Sequence, residues 1–237
     1  MNRLGLYKLY LLLDIRSFVG QSPRLFGLVQ RLSPTRRIQN LVERNTGLCI
    51  EAPSGSGNSY FVNGFLMINP DVRVAHHHHV AAQVTRSARF KVPTVVILRD
   101  PIACVVSRAA FWNAAILIGP MFRQWIRFFR AVEQVYDCVL VLPFESVTSK
   151  PEEAIKAINE RFGTTFNSRF PTMEQISTDM GREYARIIGE EGEQKNPNLP
   201  NAEKEAAKTR FRSLVSAHRL AQPARGLYYR FPNTRSG

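Results

Sequence analysis

"IEAPSGSGNSYF", residues 50–61, decides how the rest of the chain is read. An apolar run ends at Ala52, two glycines and three serines fall within 54–59, and an apolar stretch at helical spacing follows at once. A strand, a tight turn and a helix in that order bring the helix's unpaired N–H groups to the strand end, and the glycines let the backbone approach an anion closely. The positions that do this are Ser54, Gly55, Ser56, Gly57, Asn58 and Ser59. The stretch is not the usual ATP or GTP loop, because G-x-x-x-x-G-K-[ST] requires a lysine after its last glycine and Asn58 follows Gly57.

Three further apolar, β-rich runs lie downstream: "VRVAHH" (72–77), "PTVVILRDP" (93–101) and "CVLVLPFES" (138–146). Helical stretches separate them, at 59–69, 80–90, 101–112 and 119–136. Strands alternating with helices imply the α/β class, a central parallel β-sheet flanked by helices. "KPEEAIKAINERFG" (150–163) is one more helix, with Pro151 and two acids as its start signal and Gly163 as its stop. Beyond Thr164 the regularity drops. "EEGEQKNPNLPN" (190–201) reads as a polar loop, "AEKEAAKTRFRSLVSAH" (202–218) as a charged surface helix, and "NTRSG" (233–237) as a frayed end.

A chain of 237 residues with 44% hydrophobic and 22% charged residues suits one folded α/β domain and excludes a disordered or collagen-like chain. We place that domain at 41–237 and a basic amphipathic N-terminal arm at 1–40. The arm carries Arg3, Lys8, Arg16, Arg24, Arg31, Arg36 and Arg37 against Asp14 alone. It is expected either to pack on the domain or to meet an anionic membrane surface. The 32 Lys and Arg against 19 Asp and Glu, net +13, favour polyanions, anionic membranes or phosphorylated small molecules. The basic residues are spread along the chain without a recognised module, which argues against specific nucleic-acid binding. Cys49, Cys104 and Cys138 lack metal-ligand spacing and read as buried free thiols suited to a reducing cytoplasm, so the expected location is cytoplasmic, with membrane association through the arm open. No run of about 20 apolar residues is present.

In a parallel sheet, ligands gather at the carboxyl ends of the strands. Arg99 stands at one such end and Ser107 eight residues on, in the next helix, so a guanidinium and a hydroxyl can clamp a second phosphate; the alternative is a surface pair of Arg99 with Asp100. "VRVAHHHHV" (72–80) offers imidazoles as bases. Read as strand residues, His77 and His79 share a face and His76 and His78 the other, and the pair His77 and His79 is favoured as the site. A metal site, for which adjacent histidines converge poorly, and a merely polar strand end are the alternatives.

In these residues the sequence resembles the PAPS-dependent sulfotransferases, the bacterial members above all. In that superfamily a P-x-S-G-T or P-x-S-G-N loop binds the 5′-phosphosulfate, matched by Ser56, Gly57, Asn58 and Ser59. An R-x-P motif with a helical serine binds the 3′-phosphate, matched by Arg99, Pro101 and Ser107. "PFESVTSKPEEAIKAINERFGTTF" (143–166) is similar to a further family stretch. The resemblance spans about 47–166 and implies a P-loop-like sulfotransferase fold and transfer of a sulfuryl group from PAPS (3′-phosphoadenosine 5′-phosphosulfate) to a hydroxyl or amine. The acceptor would be a small molecule, lipid or glycan, and no metal would be needed. The family's Lys or Arg just before the S-G pair is replaced by Gly55, so the expected activity depends on another cation; Arg108, Arg73, Arg86 and Lys91 are the candidates. A catalytically degenerate nucleotide-binding protein of the same fold, or a nucleotide kinase, is the alternative.

Overall fold

The computed structural model describes residues 3–32, 40–188 and 202–232. The polar loop expected at 190–201 and the frayed end expected at 233–237 lie outside the described residues. Four strands, β1 (Leu48–Glu51), β2 (Val74–His76), β3 (Thr94–Leu98) and β4 (Leu140–Pro143), form a parallel sheet in the order β2-β1-β3-β4. Ile50 is level with His76 on one side and Val95 on the other, and Val96 with Val141. Every residue of β1 and β3 is buried, which is why these strands read as unbroken apolar runs rather than as alternation.

The helices are α1 (Arg3–Val19), α2 (Pro23–Leu32), α3 (Asn58–Ile68), α4 (Ala81–Phe90), α5 (Pro101–Trp112), α6 (Ile118–Glu133), α7 (Phe144–Ser149), α8 (Pro151–Phe162), α9 (Met173–Ile188), α10 (Ala202–Ser216) and α11 (Ala221–Tyr228). Leu48, Ile50, Val95 and Ile97 point to the sheet face covered by α3 and α8. Val96, Leu98 and Val141 point to the other, where α5 and α6 supply Val105, Phe122, Trp125 and Phe129. The expected α/β class, with a parallel sheet flanked by helices, is the one observed.

Local signals set the helix ends. Asp100 caps α5 by accepting the Ala103 N–H at 2.8 Å, with Pro101 at the first helical position. Gly163 closes α8 at φ 65°. The helices α7, α9 and α11 were not anticipated. Between α8 and α9, residues 164–172 run irregularly across α3: Asn167 exchanges hydrogen bonds with Asn69 (2.9 and 3.1 Å), and Phe166 meets Phe65 edge-on at 5.1 Å. The arm lies on α6: Asp14 receives two bonds from Arg123, and Arg127 donates to Ser17 at 3.1 Å. Cys49 and Cys104 are buried as expected, but Cys138 is exposed, because it ends a short 3-10 turn before β4 rather than lying within the strand.

Candidate functional site

The strand order places the site. From β1 the chain moves through α3 to β2 on one side, returns past β1 to β3, and goes on through α5 and α6 to β4. Because α3 and α5 lie on opposite faces, the connections after β1 and β3 diverge at their carboxyl ends, the position at which open α/β sheets bind ligands. The 54–59 loop and Arg99 both stand there.

The loop turns through two left-handed glycines, Gly55 at φ 92° and Gly57 at φ 74°. A Cβ on Gly57 would come within 2.8 Å of the Phe144 ring. Cys104 of α5 fastens the loop from beneath: its thiol donates to the Ser54 carbonyl at 3.0 Å, and its sulfur lies 3.5 Å from the buried Ser56 hydroxyl. Burial pushes the Cys104 thiol pKa up, so it stays a protonated donor. Arg99 donates to the Gly55 carbonyl, and its guanidinium carbon lies 4.0 Å from the Phe144 ring centroid. The alternative, a surface pair with Asp100, does not form among the described residues: that carboxylate caps α5 and lies 4.0 Å from Arg225. Asn58 is 3% exposed, and neither its Oδ1 nor its Nδ2 has a partner among the described residues.

The stem of Arg108 fills the space that Gly55 leaves open, and its guanidinium carbon lies 4.7 Å from the Phe111 ring centroid. A Cβ on Gly55 would lie 2.9 Å from Arg108 Cγ and 2.9 Å from the Cys104 carbonyl. The other three cations named from sequence are elsewhere: Arg73 pairs with Glu43 at 2.7 Å, Arg86 stacks on Phe90, and Lys91 ends α4. Ser107 is buried on α5, ~9 Å along the helix from Pro101, and shares no hydrogen bond with Arg99 among the described residues. Sequence reasoning missed α10's share. Lys204 lies close enough to Arg108 and Arg99 that, after burial and Lys208, their charges lower its pKa. Nothing in the pattern of 202–218 separates Lys204 from the solvent-facing lysines of an ordinary charged helix.

On the other flank, the histidines do not continue β2, which ends at His76. His77 (φ 61°) and His79 (φ 54°) are both left-handed, so face alternation does not govern them. Their rings still lie together, 5.8 Å apart, while His78 turns inward edge-on to Phe26. His77 Nε2 is 2.9 Å from the Ser59 hydroxyl, and its Nδ1 meets His76 Nδ1. His79 Nδ1 is 2.8 Å from the Ala52 carbonyl. A carbonyl only accepts, so Nδ1 carries the proton and Nε2 of the neutral ring carries the lone pair. Burial, then His77 and Arg108, hold the His79 pKa well below the ordinary imidazole value.

Glu51, at the end of β1, was not singled out from sequence because it reads as the polar close of an apolar run. It is fully buried and accepts the N–H groups of His78 (3.0 Å) and His79 (2.8 Å), which holds the histidine loop against the end of β1. Burial pushes its pKa up to about 8, against the pull of those backbone bonds. Among the described residues no group of three or more His, Cys, Asp or Glu is placed to hold a metal ion.

No protein-family model matches the sequence. No curated protein matches it significantly. Among solved structures, one that resembles the chain is the crystal structure of mouse sulfotransferase SULT7A1 complexed with PAP, at 10% identity and a TM-score of 0.44, covering 82% of this chain and 92% of that one.

Proposed function

We propose that the protein is a sulfotransferase that binds PAPS at the 54–59 loop and Arg99 and transfers its sulfuryl group to a hydroxyl or amine. The observation that supports this reading is the Arg108 stem packed against Gly55, from which a cation on α5 can serve in place of the one that the sulfotransferase loop pattern carries there. Other features fit a phosphosulfate as well. Two left-handed glycines turn the loop, and α3 begins directly behind it. The buried Asn58 amide lacks partners among the described residues, each unmet bond costing ~1–3 kcal/mol. Arg99, Arg108 and Lys204 gather positive charge on one flank.

PAPS supplies an activated sulfuryl group joined to phosphate. The residues around it divide the work. Loop amides and Arg108 stabilise negative charge growing on the leaving phosphate. Arg99 and Ser107 bind the 3′-phosphate, for which Arg99 exchanges its bond to Gly55 for a bidentate contact. His79, neutral with its lone pair on Nε2, takes the acceptor's proton, and His77 holds Ser59 beside it. Cys104 and Glu51 position the two loops and touch no substrate.

Calorimetry with 3′-phosphoadenosine 5′-phosphate beside ATP tests the reading. Removing a charged contact costs roughly 1.5–3 kcal/mol, so the 3′-phosphate nucleotide is expected to bind at least tenfold more tightly. Equal affinity for the two would overturn the assignment.

A further inference from the structure

The arm's outer surface has the wrong polarity for contact with water. Tyr7, Leu11, Leu12, Ile15 and Phe18 of α1 are 57–68% exposed, and Lys8 is the only polar residue among the exposed side chains described on that helix. On α2, Leu25, Leu28, Val29 and Leu32 are 42–76% exposed, at the i, i+3, i+4, i+7 spacing of a single stripe. The opposite faces are properly docked. Asp14 and Ser17 bond to α6, Arg16 donates to the His78 carbonyl at 3.1 Å, and Phe26 is buried against His78. The helices are therefore seated on the domain with their apolar sides outward, and apolar stripes of this extent mark an interaction surface.

Charge decides what covers it. Exposed polar side chains described between residues 7 and 32 are Lys8, Gln21, Arg24 and Arg31, and none is acidic. The arm's single acid, Asp14, is taken by Arg123 and Arg127. A second copy of the chain meeting this face about a two-fold axis would set like charges against each other. No described helix is long and apolar enough to cross a bilayer. We propose that α1 and α2 dock the protein on an anionic lipid surface, with the leucines, Ile15 and Phe18 entering the headgroup boundary and the basic residues meeting lipid phosphates.

Flotation of the full chain with phosphatidylcholine vesicles, with and without 30 mol% phosphatidylglycerol, tests this without any nucleotide. The protein is expected to float with the anionic vesicles alone and to be released by raised salt. Leu12→Ser/Phe18→Ser/Leu28→Ser, on exposed positions, should abolish flotation while circular dichroism stays unchanged. Lys8→Ser/Arg24→Ser/Arg31→Ser should weaken it about fivefold per residue. Equal flotation with neutral vesicles, or no flotation together with a dimer in sedimentation that the leucine variant dissolves, would overturn the proposal.

Discussion

Arg108 occupies the volume into which a side chain at position 55 would project, 2.9 Å from Cγ to the place of the missing Cβ. A side chain at position 55 and the Arg108 stem are therefore alternatives for one space, and on the proposed reading a cation from α5 substitutes for one on the loop. Arg108→Ala is expected to lower sulfated product formation about 10²–10³-fold while the nucleotide still binds. Gly55→Lys should not rescue wild-type function. It must adopt φ 92° with a Cβ and displace Arg108, so both turnover and melting temperature should fall. A faster Gly55→Lys enzyme, measured by product formation under saturating PAPS, would show that Arg108 does not serve the leaving phosphate.

Arg99 packs on Phe144 and donates to the Gly55 carbonyl, so its guanidinium is oriented before any ligand arrives. Arg99→Ala should weaken 3′-phosphoadenosine 5′-phosphate at least tenfold and leave ATP little changed. Arg99→Lys should recover only part of the loss, because an ammonium neither stacks on Phe144 nor makes a bidentate phosphate contact. Calorimetry on the two variants separates charge from geometry. Identical losses for both nucleotides would assign Arg99 to folding the loop instead.

The parts of this site that could be read in the sequence are those whose residues act where they stand. Strand, glycine turn and helix are contiguous at 48–68, and Arg99 follows β3 directly, so local pattern sufficed. Arg108 could be named only as one of four cations, because its reach to Gly55 depends on how α5 crosses the loop. Lys204 and Glu51 were missed for the same reason: one is brought by a helix a hundred residues away, and the other is defined by backbone donors from a neighbouring loop. The histidines illustrate a different failure. A period of two applies only while the strand lasts, and β2 stops at His76.

His79 provides a sharper test of chemistry than the cluster as a whole. Its Nδ1 is committed to the Ala52 carbonyl, and its pKa is held well below the ordinary imidazole value. The rate should therefore hold as pH falls through 6.5 and decline only well below it. His79→Asn should cost ~10²-fold or more, His76→Asn and His78→Asn far less, with nucleotide affinity kept. A rate that halves near pH 6.5, or a His79→Asn enzyme within a few-fold of the parent, would remove His79 as the base.

Glu51 and His79 also set how stability varies with pH, in opposite senses. His79 has a depressed folded pKa, so its contribution is complete above about 6.5 and is lost as pH falls below that value. Glu51 has a folded pKa raised to about 8 from 4.5, so its contribution is complete below 4.5 and is lost as pH rises toward 8. Between 4.5 and 6.5 the two slopes oppose each other. From 6.5 to 8 His79 is neutral in both states and Glu51 acts alone, so unfolding free energy should fall by up to ~1.4 kcal/mol per pH unit. For a chain of this size that is roughly 2–4 °C of melting temperature per kcal/mol. Thermal melts from pH 6.5 to 8.5 should show this decline in the parent and a flat profile in Glu51→Gln, which keeps an acceptor for one histidine N–H and cannot ionise. A Glu51→Gln profile that declines as steeply as the parent's would place the titrating group elsewhere and leave Glu51 ionised throughout, bound to the His78 and His79 amides as a carboxylate.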